Sequence, residues 1–507
     1  MKNNKFFNLI GTSLLMVGLS TSFISCEDDD NNNNNNTVVA PNVNFTALTK
    51  NNSIAVFNAR NLNSAISTTP ITGLASGEQI ISIDYRPATG QLYALSSLSR
   101  LYFINEQSGI ATALGTSSFT PEVNGMNASI DFNPTVDRIR LVTEAGQNLR
   151  LHPETGAVAA TDTPISGNSN TKIGAVAYTN SMAGASSTML FDIDFGEDKL
   201  YIQNPPNDGG LQLVGNLTID LQGQGDFDII PDNSTALAVT NNNNMSKLYT
   251  IDLTTGKAVD VGTFGSEVIS LAFKTNPVAF AASTDNLLHR FNPMSPMANS
   301  VAFTGLMASE MIVGLDFRPA NGTLYAISNQ SRLFKVNTAN GQLTQVGSDL
   351  SPALAGTSFG FDFNPTVDRI RLVSNTGQNL RLHPDLGTVV FTDGMLNPGT
   401  PFVNAAAYTN NIAGATTTTL FVIDSTTDML YTQNPPNNGT LVLVGSLGVN
   451  VEADNGFDIG GNSNNAYALL KVNGVTSVYS INLTTGAATK GADFNIQTTA
   501  MAVGLGF

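Results

Sequence analysis

Six aspartates are the residues in this chain best placed to do chemistry. Asp84, Asp131 and Asp228 in the first half match Asp316, Asp362 and Asp458 in the second. Each sits between apolar neighbours, as in Ile83-Asp84-Tyr85 and Ile130-Asp131-Phe132, so strand alternation aims it away from their face. Carboxylates brought together at a channel would suit a hard divalent cation such as calcium, bound through oxygen. They could also form acid/base pairs. The competing reading ties each Asp to a turn or an arginine, and it is preferred because buried charges are normally paired.

The cations available for that pairing are clustered. Arg138, Arg140 and Arg150 lie close together, as do Arg369, Arg371 and Arg381. On a strand, Arg138 and Arg140 share one face and Ile139 and Leu141 the other. Such a cluster can grip a carboxylate or phosphate ligand bidentately. An interblade ion-pair lattice with Asp131, Asp137 and their counterparts is the preferred expectation, because structural networks perturb charges more often than sites do. No catalytic residue is assigned.

Other motifs are weaker. Gly356-Thr357-Ser358-Phe359-Gly360 fits a nucleophile elbow, but the equivalent of Ser358 is Asn127 and the strand-to-helix context is missing. Asp192, Asp194, Glu197 and Asp198 hint at calcium, yet only Asp194 and Asp198 have acidic equivalents, Asp424 and Asp428. His152 and His383 stand beside prolines without ligand-spaced neighbours, which argues against zinc. Glu78 and Glu310 are the one Glu pair kept between the halves.

These residues ride on a duplicated array. The stretch 131–153, DFNPTVDRIRLVTEAGQNLRLHP, returns at 362–384 and differs only at Thr143/Ser374, Glu144/Asn375 and Ala145/Thr376. QNPPN at 203–207 returns at 433–437, FDI at 227–229 returns at 457–459, and LTTG at 253–256 returns at 483–486. Short alternating strands separated by Gly, Pro, Asn and Asp turns come in groups of four, the beat of a propeller blade. The fold expected is all-β: a β-propeller of about ten four-stranded blades in two repeated halves, 42–276 and 277–507. Val278 follows Phe273 after only Lys274-Thr275-Asn276-Pro277, which reads as a hairpin inside one blade. A single ten-bladed ring, its last blade joining the C-terminal strand to the three N-terminal ones, is therefore preferred over two five-bladed rings.

The segments DFRPANGTLYA, FDFNPTVDRIRLV, GQNLRLHP, AAYTNN and YTQNPPNNG resemble the bacterial family called domain of unknown function 4394, across both halves. The resemblance implies a propeller-like secreted or anchored protein and carries no catalytic residues to transfer.

Composition sets the remaining bounds. The 507 residues are 41 % hydrophobic and only 12 % charged, with 45 glycines, as suits a compact β-rich protein with many turns. A net charge of −16 makes nucleic acid and anionic lipid poor partners. Lys2 and Lys5, the apolar run Phe6 to Leu19 and then small residues before Cys26 read as a signal peptide over 1–25. Phe23-Ile24-Ser25-Cys26 resembles a lipobox, with Cys26 as the lipidated residue, and 26–41 is an acidic, Asn-rich tether whose acidic start resembles a Bacteroidota surface-export signal. The expectation is an outer-membrane lipoprotein of a Gram-negative bacterium, exposed at the surface and touching the membrane only through its lipid. Its propeller would bind a protein, glycan or small ligand without catalysis. A glycoside hydrolase or lyase using channel carboxylates is the alternative, and the absence of Trp weakens both a sugar platform and a quinoprotein.

Overall fold

The computed structural model describes residues 39–125, 127–452 and 455–507. The expected signal peptide, Cys26 and most of the expected tether lie outside the described residues. No helix among those described is long and apolar enough to cross a membrane.

The chain forms ten four-stranded antiparallel sheets. Four follow in simple order in each half; in the first, for example, Ile80–Tyr85, Leu92–Ser96, Leu101–Ile104 and Ala111–Ala113 make one blade. Turn chemistry divides them. In the LTTG turn the Asp252 carboxylate accepts the amides of Thr254 and Thr255 at 2.8 and 3.1 Å, and Gly256 takes φ 79°.

The ring closure differs from the sequence expectation. Val268–Ala272 pairs with Asn44–Thr49, aligning Ala272 with Thr46 and Leu271 with Ala47. At the other end, Thr498–Val503 pairs with Ala279–Ser283, aligning Val503 with Ala279 and Met501 with Ala281. Each half thus closes on its own ends. The innermost strands pack in two separate cycles of five, the second running through Ile312–Arg318, Phe359–Asn364, Val403–Tyr408, Asn455–Ile459 and Thr498–Val503. The single ten-bladed ring is corrected to two five-bladed rings.

The short connection across residues 274–277 suffices because the rings abut. Gly506 donates its amide to Thr89 O at 2.8 Å, and Arg86 Nη1 donates to Gly322 O at 2.9 Å. The Phe507 ring lies over Gly90 so closely that a Cβ there would meet it at 2.3 Å, and Gly90 has φ 73°, so both contact and turn require glycine.

Apolar residues fill the wedges between blades. Tyr93 of one blade meets Phe132 of the next edge-to-face at 5.0 Å, and Tyr325 meets Phe363 likewise at 5.2 Å in the second ring. Such pairs add about 1 kcal/mol to the burial of the rings themselves. Wedge packing of this kind fixes how the inner strands meet at the centre.

Candidate functional site

The innermost strand of a propeller blade is a sheet edge, and its outward amides need acceptors. The aspartates supply them. Asp84 accepts the amide of its own Tyr85 and that of Phe132 on the neighbouring blade, both at 2.7 Å. Asp228 accepts from Ile229 and Phe273, each at 2.6 Å, and Asp131 accepts from Tyr178 at 3.0 Å. The second ring repeats this. Asp316 takes Phe317 and Phe363 at 2.7 and 2.6 Å, Asp458 takes Ile459 and Val503 at 2.6 and 2.5 Å, and Asp362 takes Tyr408 at 3.0 Å. Each side chain therefore stitches one inner strand to the next.

The stitching draws three carboxylates together at the centre of each ring. In both triads one oxygen from each Asp lies within 4.8 Å of the others. All six residues are 0–4 % exposed. Burial, then mutual repulsion among the carboxylates, holds the pKa of Asp84, Asp131, Asp316 and Asp362 well above the ordinary value. Burial pushes Asp228 up to about 8 and Asp458 up to about 7. Three buried carboxylates at this separation cannot all stay charged alone. Protons satisfy them at low pH, and a hard divalent cation fits the all-oxygen donor set at higher pH.

One layer away, the rings diverge. In the first, Asp226 accepts hydroxyls from Ser129 at 2.7 Å, Ser82 at 3.0 Å and Ser270. Those serines in turn accept the amides of Ile83, Ile130 and Val176 on adjoining strands. Asp226 is raised to about 7 by burial, against the opposing pull of the serine hydroxyls. Strand register places Gly314, Gly360, Gly456 and Ala500 at the matching positions of the second ring. There the strands approach closely instead: a Cβ on Gly456 would stand 2.5 Å from the Met501 Cβ.

The arginines are elsewhere. Arg140 and Arg150 share Asp162 at 2.7 and 2.8 Å, and Arg371 and Arg381 share Asp393, both at 2.7 Å. Arg140 Nη2 also reaches Asn207 Oδ1 in the QNPPN loop of the next blade at 2.8 Å, and Arg371 reaches Asn437 likewise. Arg138 and Arg369 each donate to the preceding carbonyl, of Asp137 and Asp368, at 2.8 Å. The expected interblade lattice is corrected: these ion pairs stay within one blade, on Asp162 and Asp393, only the Asn207 and Asn437 contacts cross to the next, and Asp137 and Asp368 pair instead with Arg86 and Arg318. The expected pairing of Asp131 and Asp362 with these arginines is corrected, since their strand position turns them to the ring centre.

Several residues that matter were not singled out from the sequence. Arg86, fully buried, pairs with Asp137 at 2.5 Å and Glu154 at 3.4 Å, and Arg318 pairs with Asp368 and Asp385 at 2.5 and 2.6 Å. Each is followed directly by a proline, Pro87 and Pro319, in a local pattern that marks a turn and gives no sign of a distant carboxylate partner. Asp226 carries no repeat signal, because its counterpart is Gly456. His289 lies between the hydroxyls of Ser283 and Ser300, each at 2.7 Å, and the nearby Asp285 carboxylate accepts from Ser283. That order puts the acid on the serine and not on the imidazole, so it is not a nucleophile-activating triad. Glu78, by contrast, is a buried acceptor for Ser96 at 2.5 Å and Tyr102 at 2.7 Å inside its own blade, while Glu310 holds Ser328 at 2.5 Å and Arg332 at 2.6 Å.

The family model described as "Domain of unknown function (DUF4394)" matches residues 53–272 and again 287–504. No curated protein matches the chain. Among solved structures it is similar to a Bacteroides fragilis protein provisionally assigned as a 6-phosphogluconolactonase. That similarity has 13 % identity and a TM-score of 0.27, over 63 % of this chain and 94 % of that one.

Proposed function

The chain belongs to the DUF4394 family, carrying its domain twice, and we propose that it is a non-catalytic binding scaffold displayed on the outer membrane of a Gram-negative bacterium through lipidated Cys26. The observation that carries the non-catalytic part is the placement of the six central aspartates. They are 0–4 % exposed and hold backbone amides of adjoining blades. A glycosidase needs two carboxyls open to a sugar and about 5–9.5 Å apart. Groups already engaged in joining blades inside the rings do not meet that need. The anchoring part rests on the leader pattern and the single cysteine of the sequence. Partners of this scaffold are a protein, a glycan or a small ligand, held by surfaces outside the ring centres.

Two measurements test the reading. Purified protein is assayed on a panel of chromogenic glycosides and polysaccharides, and no turnover is expected. Turnover that Asp131→Asn or Asp362→Asn abolishes at an unchanged melting temperature would overturn it. Membrane fractionation of cells making Cys26→Ser should move the protein to the soluble fraction, and persistence in the membrane would count against lipidation.

A further inference from the structure

A cleft of about 220 Å³ lies where the two rings meet, between the 182–185 loop of the first and the opening blade of the second. Its walls include Met182, Pro277, Phe291 and Met297, with Gly184 and Arg290 at one side. Arg290 is 6 % exposed and makes no ion pair among the described residues. Its Nη1 donates to Thr338 O and Ala339 O, each at 3.2 Å, and its Nη2 donates to Asn299 Oδ1 at 3.2 Å. Its Nε is buried with no acceptor.

The other arginines show what is missing. Arg86, Arg150, Arg318 and Arg381 all present the same Nε/Nη2 edge, and each holds both oxygens of one carboxylate there. At Arg290 that edge carries only the neutral Asn299 carboxamide; Arg140 and Arg371 also hold an Asn at Nη2, and Arg371 Nε also lacks an acceptor, but both have a carboxylate at Nη1 where Arg290 has two carbonyls. Every other arginine buried to a like degree, namely Arg86, Arg140, Arg318 and Arg371, has a carboxylate partner. The carboxylates around Arg86 and Arg318 raise their pKa, whereas burial lowers that of Arg290. A guanidinium taken out of water without a counter-charge is costly, more so where a good bidentate edge stays idle.

A Cβ at residue 184 would stand 2.8 Å from Nε and 2.9 Å from Cζ, over the flat face of the guanidinium, so glycine is what lets the 182–185 loop lie against Arg290. Asn299 ties the loop in place, donating from Nδ2 to Gly184 O at 2.5 Å, so one carboxamide touches both loop and arginine. Strand pairing makes Val56 the first-ring counterpart of Arg290, so the charge does not belong to the shared frame.

From these features we infer that the cleft binds a small monocarboxylate with an apolar body. The carboxylate displaces Asn299 from the Nε/Nη2 edge, and the apolar part lies along Met182, Phe291 and Met297. The small volume and the net charge of −16 favour a singly charged ligand over a polyanion. This deepens the scaffold reading by naming a ligand class, and it rests on that reading only in that the ligand is held and not consumed.

The test titrates full-length protein with hexanoate, acetate and hexanol by calorimetry. Saturable hexanoate binding at one site is expected, with acetate and hexanol each at least about tenfold weaker, since a charge-assisted pair and apolar contact both contribute. Arg290→Gln should weaken hexanoate by at least about tenfold while far-UV circular dichroism shows a folded chain. Met297→Asp changes a side chain 87 % exposed, so folding is spared, and its new charge at the mouth should weaken hexanoate also. Absence of saturable hexanoate binding overturns the proposal, as does equal affinity in both variants or tighter binding of inorganic phosphate. Recovery of hexanoate unchanged after incubation tests the scaffold reading separately, because consumption would refute that reading while leaving the site in place.

Discussion

Replacing Asp226 by Asn should make the protein more stable at high pH and leave it almost unaltered at low pH. In the folded chain Asp226 keeps its proton up to about pH 7, because burial opposes the charged form. Unfolded, the same carboxyl titrates near 3.8. Between those values the folded protein holds a proton that the unfolded one has lost. The group's favourable contribution is therefore complete below 3.8 and gone once pH has risen through about 7. The interval is about 3 pKa units, and at about 1.4 kcal/mol each the swing approaches 4 kcal/mol. Asn is neutral throughout and still offers Ser82, Ser129 and Ser270 one acceptor and two donors. Wild type and Asp226→Asn should therefore match near pH 4 and separate by up to about 4 kcal/mol near pH 8, with the variant the more stable. Urea unfolding followed by far-UV circular dichroism in chelator, at pH steps from 4 to 8, reads this difference. Parallel stability curves across that range would refute the argument, for they would mean that Asp226 titrates alike in both states.

Asp192 is buried, neither of its oxygens has a hydrogen-bond partner, and burial holds its pKa well above the ordinary value. The matching residue of the second ring, by register with Tyr201 and Tyr431, is Val422. Asp192→Val should raise stability by about 1–3 kcal/mol at pH 7, the desolvation cost of an unpaired polar group, and thermal unfolding would show it. Calcium is expected to raise the unfolding midpoint at pH 8, where Asp458 has largely lost its proton and Asp228 is midway through its titration. At a hundredfold excess over Kd the gain would be about 2.7 kcal/mol per site. Asp84→Asn combined with Asp316→Asn should remove most of that gain, and a wild-type midpoint indifferent to calcium would exclude the cation role.

What was legible in the sequence follows from what repetition and alternation encode. Groups of four strands, their turns and the inward aim of Asp84, Asp131 and Asp228 were all carried by local pattern. Ring closure was not. Ile269-Ser270-Leu271-Ala272-Phe273 and Thr499-Ala500-Met501-Ala502-Val503 are equivalent inner strands, so nothing local says which one pairs with Ala279–Ser283. The partner of an arginine was equally hidden. Asp162 and Asp393 lie outside the repeated 23-residue stretch, within weakly patterned outer strands or their ends, yet each gathers two arginines. Arg290 is hidden for the opposite reason, since repetition marks what the halves share and not what only one of them has.

The same contrast separates frame from function in this fold. A five-bladed ring leaves inner-edge amides that must find acceptors, and both rings answer with Asp carboxylates at matching positions. Because the requirement comes from the geometry of closure, the answer is duplicated with it. The next layer is not: Ser82, Ser129, Asp226 and Ser270 in one ring stand against Gly314, Gly360, Gly456 and Ala500 in the other. Serines and an acid satisfy amides through side chains, whereas glycines let the strands themselves close in, so two solutions serve one architecture. Residues free of that architecture are the ones able to specialise. Arg290, present in one ring, charged, buried and lacking the carboxylate that its peers possess, is such a residue, and the face where the rings meet is where binding specificity is best sought.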